Sequence, residues 1–522
     1  MLHQFPYYLL LIVFIILLIM LAQRIKVAYP IVLVLGGLLL SFIPSIPNIE
    51  VNPELIFLIF LPPLLYEAAW FTSWKEFWRL RRVILSFAFL VVIVTSLVVA
   101  WVASSFIPGF TMALGFLLGG IVSPPDAVSA SAILKFVKVP RVLSALIEGE
   151  SLLNDASSLV VFRFALIAVD TGRFVFHEAA LSFVWVILGG VGIGLLVALA
   201  FYFIHRKLPV DVNMNIALTL ITPYAMYIAA ESIHVSGVLA VVTGGLFLSY
   251  RQHKILDNSS RLRGGSVWSA LVFVLNGLVF MLIGLELPVI IEGLEGLSLS
   301  EAIGCGVLIA GVLIVGRVIT ALFASVFTTF VSRYITTADA HPGFKGPFLF
   351  GWAGMRGVVS LAAALSIPVT LSNGQPFPHR NLILFITFVV ILLTLLIQGL
   401  TMPWLIRIIH LTDRQRTMPE EEENKHIHHK LARESLNYLH THFATELKSH
   451  PALEQLATTW EHKEKMLDNK QLHGNYKTIY LKLIAQQRVW LREWNKDIGT
   501  DEEIVRKHLM RLDLEEERMK FA

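Results

Sequence analysis

The chain has 522 residues, 56% of them hydrophobic and only 15% charged, with a formal net charge of +4 and a mean hydropathy of +0.69. That balance excludes an ordinary soluble domain and indicates an integral membrane protein. The basic residues flank apolar runs rather than forming a groove, which excludes a nucleic-acid partner, and a single cysteine, Cys305, excludes an internal disulfide.

Apolar periodicity and length predict about thirteen spans, at roughly 7–23, 28–46, 54–70, 83–105, 110–137, 141–169, 181–204, 213–231, 236–250, 266–292, 301–331, 346–370 and 381–409. The first lacks a basic leader and an A-x-A cleavage site, so it reads as a retained span. Between the spans, Arg24, Lys26, Lys75, Arg79, Arg81, Arg82, Lys135, Lys138, Arg141, Arg206, Lys207, Arg251, Lys254, Arg261, Arg263, Arg333, Lys345, Arg407, Arg414 and Arg416 fall on one side. Arg173 and Arg380 fall on the other. The positive-inside rule then places the N-terminus outside the plasma membrane and the C-terminus in the cytoplasm.

Two spans are interrupted. The fifth carries Gly119-Gly120 and Ser123-Pro124-Pro125-Asp126, and the twelfth carries Gly351, Gly354, Gly357 and Pro368 around Arg356. Such breaks at membrane depth are tolerated where protein or a water-filled site satisfies the freed backbone. The broken segments lie seven spans apart and so run in opposite directions. The expected fold is an all-α membrane protein of two inverted-topology repeats, spans 1–6 against 8–13, with discontinuous helices crossing at mid-membrane.

Residues 1–412 form the expected membrane domain and 413–522 a charged, helical cytoplasmic region. Apolar stripes run Leu436, Leu439, Phe443, Leu447 and Tyr480, Ile484, Leu491, Trp494, and Thr500 with Glu503 forms a candidate capping box. His426, His428 and His429 resemble a metal tract by composition and read better as a solvated helix start.

The chemistry centres on Glu150-Ser151-Leu152-Leu153-Asn154-Asp155 in the sixth span, whose oxygen-bearing side chains share one depth. Asp126, Asp155, Arg317 and Arg356 all fall near mid-membrane, where a lone ionised group costs several kcal/mol and marks a functional site. An aspartate between burial and a nearby arginine can hold either a proton or a small cation, which is the minimum chemistry of exchange. Asp155 is the candidate carboxylate for the proton or Na+. Ser151, Asn154 and the opened backbone at 123–126 would add neutral oxygens. Asp126 either coordinates the ion or caps the half-helix after it. Glu150 is expected to pair with Arg356, and Arg317 to stabilise the interior with a partner left open. Glu67 either lines an entry funnel or snorkels to the interface, Arg163 reads as a companion of Asp155 or a snorkelling residue, and His234 as interfacial. No nucleophile, metal or phosphate-binding constellation suggests an enzyme, and no cofactor is expected.

Glu150-Ser151-Leu152-Leu153-Asn154-Asp155-Ala156 resembles the E-S-L-L-N-D-A signature of the sodium/proton exchanger family, the first monovalent cation:proton antiporter group. Supporting matches are Leu61-Pro62-Pro63-Leu64-Leu65-Tyr66-Glu67-Ala68, His234-Val235-Ser236-Gly237-Val238-Leu239-Ala240 and Gly354-Met355-Arg356-Gly357. The resemblance implies a homodimer in which a core bundle moves against a dimerisation bundle, with Asp155 as ion- and proton-binding carboxylate, Asn154 its signature neighbour, Ser151 a ligand, and Glu150 with Arg356 the supporting pair. An asparagine at 154, where electrogenic relatives carry aspartate, implies electroneutral exchange of one cation for one proton. The implied function is Na+/H+ antiport, with Li+ or K+ as alternative cations; a cation channel or a receptor using the tail are the competing classes. The sequence departs from the family in two places. Pro125-Asp126-Ala127 stands where T-D-P is usual, and Asn276 stands where animal exchangers have a glutamate that pairs with the position of Arg317, so that pair is absent or rebuilt.

Overall fold

Apolar chain without water must satisfy its backbone internally, and this one does so with helices. The computed structural model describes residues 5–43, 58–134, 137, 139–172, 176–294, 298–332, 343–410, 420–445, 451–466, 470–494, 508–509 and 511–517. Among these residues the one strand-like feature is an isolated bridge between Thr370 and Pro376. The chain divides into two compact units, Met1–Thr412 and Asp413–Ala522.

The first unit runs α1 (Phe5–Ile25), α2 (Tyr29–Ser41), α3 (Leu61–Phe71), α4 (Trp74–Leu85), a π-helical turn (Ser86–Val91), α5 (Val92–Phe106), α6 (Met112–Val122), α7 (Ala127–Leu134), α8 (Arg141–Thr171), α9 (Phe176–Lys207) and α10 (Val212–Glu231). It continues with α11 (Gly237–Ile255), α12 (Asn258–Leu285), α13 (Leu287–Glu292), α14 (Leu299–Val331), α15 (Lys345–Trp352), α16 (Val358–Leu365) and α17 (Arg380–Ile409). Among the described residues, eight helical stretches are long and apolar enough to cross a membrane: Trp74–Phe106, Met112–Leu134, Arg141–Thr171, Leu181–Lys207, Val212–Glu231, Asn258–Glu292, Leu299–Phe330 and Arg380–Ile409. The chain is therefore a multi-pass membrane protein. The other five apolar runs overlap, in their described residues, with the shorter or less apolar helices α1, α2, α3, α11 and the pair α15 and α16.

Of the boundaries that differ from the sequence expectation, two have a clear local cause. The basic stretch before the fourth span is the helix α4, capped by Ser73, with Leu80 and Ile84 buried on one face. Its apolar residues Trp74, Phe77, Leu80 and Ile84 recur at helical spacing, so it is an amphipathic helix running through the π turn into the span. Helix α12 starts at Asn258 rather than near 266 because Asp257 accepts the Ser260 amide at 3.3 Å as an N-cap. Hydrogen bonding from Ser260 holds the Asp257 carboxyl below its usual range. The loop charges Lys135, Lys138, Arg173, Arg333, Arg414 and Arg416, together with Leu447 and the Thr500–Glu503 capping box, lie outside the described residues.

Two apolar cores organise the first unit. One joins α1, α2, α5 to α7, the C-terminal half of α12 and α13 to α17; the other joins α3, α4, α9, α10, α11 and the N-terminal half of α12. Helix α8 belongs to both, giving Leu143, Ile147, Phe162 and Ala165 to the first and Leu152, Leu153 and Ala156 to the second. Asp155 therefore sits where two packed masses meet. Helix α6 is drawn tightly onto α5 and α8 because Gly119 and Gly120 leave no room for a side chain: a Cβ would meet the Ser96 and Phe162 backbones at 2.6 and 2.8 Å.

The second unit contains α18 (Glu420–His442), α19 (Pro451–Met466) and α20 (Lys470–Trp494). On the predicted stripes Ile484 is buried, whereas Leu436 and Leu439 are half-buried. Arg488 pairs with Asp513 at 2.6 Å and with Glu516, tying α20 to the segment at 511–517.

Candidate functional site

The helix breaks follow from the sequence. Pro124 and Pro125 lack the amide that would extend α6, so Ser123-Pro124-Pro125-Asp126 leaves the helix and α7 starts afresh at Ala127. Residues 353–357, which hold Gly354 and Gly357 but no proline, separate α15 from α16. The two breaks touch: the Asp126 amide donates to the Met355 carbonyl at 2.7 Å, and a Cβ on Gly357 would collide with the Asp126 carboxylate.

Arg356, 1% exposed, closes the carbonyl ends of both first halves. Its Nε donates to the Val122 carbonyl at 2.8 Å, and its terminal nitrogens donate to the carbonyls of Ser123 at 3.2 Å and of Gly354. These carbonyls end α6 and α15 and carry the negative ends of their dipoles, so a guanidinium between them satisfies hydrogen bonds and charge together. Its own amide donates to Thr394 Oγ1 on α17 at 3.2 Å.

This corrects the expected pairing of Glu150 with Arg356. Glu150 is held instead by Arg317 of α14 in a two-pronged ion pair at 2.8 and 2.5 Å, with both side chains nearly inaccessible. The Arg356 fork is already directed at backbone carbonyls, while the Arg317 guanidinium lies 5.3 Å over the Phe350 ring and faces Glu150 squarely. The partner that the sequence left open for Arg317 is thus Glu150. With Asn276 on α12 in place of a glutamate, the pair is rebuilt rather than absent, and Asn276 Oδ1 is buried without a partner.

Asp126 caps α7, its Oδ1 accepting the Val128 amide at 2.9 Å and its Oδ2 the Ser129 hydroxyl at 2.7 Å. Ser151 Oγ accepts the Ala127 amide at 3.1 Å, and Asn154 Nδ2 donates to the Pro125 carbonyl at 3.0 Å. Helix α8 thereby holds the first break at two points. The opened backbone is not the free ligand set expected from the sequence, because Arg356 and Asn154 take its carbonyls at Val122, Ser123 and Pro125.

Two oxygen groups at this junction have no such engagement. Asn154 Oδ1 is buried without a hydrogen-bond partner. Asp155 is 7% exposed, and among the described residues no hydrogen bond or ion pair reaches its carboxylate. Asp126 is near enough to act on it electrostatically. Glu67 on α3 lies, like Asp126, near enough to the Tyr29 phenol to act on it electrostatically.

Other candidates separate from the site. Arg163 pairs with Glu231 at the end of α10 at 2.7 Å, with both side chains partly exposed. His234 is exposed in the turn after α10, and His426 is exposed on α18. Among the described residues no group of three or more His, Cys, Asp or Glu converges on a point. The sequence reading passed over Glu286, a buried carboxyl at the end of α12; its signal was an acidic residue inside the apolar run Ile283-Gly284-Leu285-Glu286-Leu287.

A family model described as sodium/hydrogen exchanger, transmembrane, matches residues 10–408. The chain is 36% identical over 420 residues to the sodium, potassium, lithium and rubidium/H(+) antiporter of Bacillus pumilus, covering 78% of this chain and 62% of that protein. To the protein of the same description from Bacillus subtilis it is 37% identical over 386 residues, covering 72% and 57%. The chain thus spans about three fifths of the length of these two relatives. It is 33% identical over 384 residues to the low-affinity Na(+)/H(+) antiporter NhaS1 of Synechocystis, covering 73% and 69%. The solved sodium proton antiporter MjNhaP1 from Methanocaldococcus jannaschii shares the fold, with a TM-score of 0.62 at 19% identity over 78% of this chain and 99% of that one. Matched across most of its length, with the signature at Glu150–Ala156 in the middle of the match, the chain belongs to the sodium/hydrogen exchanger family.

Proposed function

We propose that this protein is a secondary antiporter that exchanges a monovalent cation, Na+ first, for H+ by alternating access. The observation that carries this reading is Asp155: a carboxylate almost removed from solvent, with no donor and no counter-charge among the described residues, at the meeting point of two broken segments and two packed cores. Such a group is satisfied by a proton or by a small cation, and the two exclude each other. Asn154 Oδ1, buried and unpartnered, and the Ser151 hydroxyl are neutral oxygens of the kind a dehydrating cation needs beside it. Asp126 acts as the cap that fixes α7 and as a second negative charge near the cation, and Glu67 lines the approach. Glu150, Arg317 and Arg356 hold the helices around the site.

The cation moves as substrate. It reaches Asp155 from one side and displaces the proton; the two packed masses shift past each other about α8, and the cation leaves on the other side as a proton returns. One carboxylate that carries either occupant, beside an uncharged Asn154, gives one cation for one proton with no net charge moved. The same reading includes thirteen spans in two inverted repeats, an outside N-terminus and cytoplasmic C-terminus in the plasma membrane, a homodimer, and regulation through residues 413–522. A broader selectivity that includes K+ is the second reading, favoured by the names of the two Bacillus relatives, which span four alkali cations; K+ and Na+ differ in fit rather than in ligand type.

The test is dissipation of a pH gradient in proteoliposomes on adding Na+, Li+ or K+, with the membrane potential clamped and then unclamped. Saturable exchange indifferent to potential is expected, and it is expected to vanish in Asp155→Asn while that variant still inserts. Retained exchange in the variant sinks the site assignment, dependence on potential overturns the one-for-one stoichiometry, and cation flux without proton movement returns the channel reading.

A further inference from the structure

Among the described residues, Asp155 is not alone in being a buried carboxyl without a partner. Glu286, at the carboxyl end of α12, is 8% exposed, and among the described residues no hydrogen bond or ion pair reaches its side chain. Its main chain is satisfied, the amide donating to the Leu282 carbonyl and the carbonyl accepting the Ile290 amide, both at 3.1 Å. The side chain borders a cavity of about 10 Å³ walled by Val279 and Leu282 of α12 and by Val358, Leu361, Ala362 and Leu365 of α16. That is room for about one water molecule.

The two walls belong to differently anchored elements. Helix α12 is locked to α2 backbone against backbone: a Cβ on Gly37 would collide with the Met281 carbonyl oxygen, and one on Gly284 with that of Val34. Helix α16 is the second half of the broken segment that meets Asp126, and it faces α12 through apolar side chains around the cavity. A charged carboxylate here is opposed by the apolar walls, by the lack of a donor, and by the negative end of the α12 dipole. A neutral carboxyl avoids the cost of burying a charge.

We propose that Glu286 is a second proton-binding site, separate from Asp155, which keeps its proton while α16 is packed on α12 and gives it up when they part. Protonation thus favours the packed arrangement at low pH, and that preference is lost as pH rises. Among the described residues the groups facing it are few. Helix α16 carries no titratable side chain, α2 has only Tyr29 at its far end, and the arginines of α12, Arg261 and Arg263, lie at the opposite end of that helix. Helix α13 contributes Glu292. Helix α17 contributes Arg380, which donates to the carbonyls of Ile367 at 2.9 Å and Leu365 at 3.5 Å at the cavity rim. Protons on the Arg380 side of the membrane therefore set how readily the bundle bearing α16 moves. The movement rests on the antiport reading above; the proton site rests on the cavity.

Dicyclohexylcarbodiimide adds to protonated carboxyls in apolar surroundings, so the wild-type, full-length protein is labelled across acidic to alkaline pH and the adducts are located by mass spectrometry. An adduct at Glu286 that declines as pH rises is expected, and no adduct there at any pH overturns the proposal. Glu286→Gln is then measured in proteoliposomes at saturating cation. Its maximal rate is expected to stay at the wild-type acid level as pH rises on the Arg380 side, while the cation KM keeps its pH dependence, which belongs to Asp155. A maximal-rate profile identical to wild type overturns the proposal. Wild-type protein that exchanges no cation removes the antiport reading and leaves the labelling to decide the proton site.

Discussion

Glu150 and Asp155 lie five residues apart on α8, both buried, and they are treated in opposite ways. The Glu150 carboxylate is engaged at both oxygens: two prongs of Arg317 reach it, a Phe350 ring lies behind the guanidinium, and Gly354 leaves space for the arginine stem, while Arg317 Nε is left without a hydrogen-bond partner. Among the described residues the Asp155 carboxylate has no donor, while its neighbours Asn154 and Ser151 are tied to the broken backbone. A buried charge that is fully paired fixes structure, and one left open is available to an occupant. Two acids on one helix thus divide support from chemistry by what faces them rather than by their own identity.

The comparison breaks most severely at Asp155. Asp155→Asn is expected to abolish cation-coupled proton movement with little change in thermal stability, read by fluorescence quenching in proteoliposomes and by a melting assay of the purified protein. Glu150→Gln should do the reverse: leaving Arg317 as an uncompensated buried charge is expected to destabilise the fold by about 3–5 kcal/mol, seen as a large drop in melting temperature. The double variant Glu150→Gln, Arg317→Met is expected to recover much of that loss, and failure to recover would show that the pair also has a role in exchange.

Smaller effects sharpen the division. Asp126→Ala removes the α7 cap, worth about 1 kcal/mol, and raises the cation KM by removing a charge near Asp155; an unchanged KM would confine Asp126 to capping. Arg163→Gln breaks a partly exposed pair with Glu231, worth about 0–1 kcal/mol, so neither melting nor exchange should change appreciably. A marked change in exchange there would extend the functional region two turns along α8.

The sequence carried the ingredients of the site more clearly than their connections. Asp155, Asn154 and Ser151 were legible because polar groups at membrane depth stand out against an apolar run. The prolines at 124 and 125 announced the first break because a missing amide is a local fact. The choice between Arg317 and Arg356 as partner of Glu150 was not legible, since both are mid-membrane arginines on distant helices and only three-dimensional packing decides which one faces α8. Helix α4 was hidden for a different reason: its basic residues resemble a loop until the spacing of Trp74, Phe77, Leu80 and Ile84 is read as one face.

The sequence by itself determined that this is a helical membrane protein of the exchanger family, with a carboxylate at the centre of its sixth apolar run and breaks in its fifth and twelfth. Those are properties of local composition, spacing and backbone chemistry. Only the tertiary structure decided that Arg356 closes the carbonyl ends of the broken helices, that Arg317 neutralises Glu150, that Asp126 serves as a cap, and that Asp155 and Glu286 have no partner among the described residues. A hydrogen bond or ion pair depends on ångström-scale distance and direction between residues hundreds of positions apart, and that information exists only once the helices are packed.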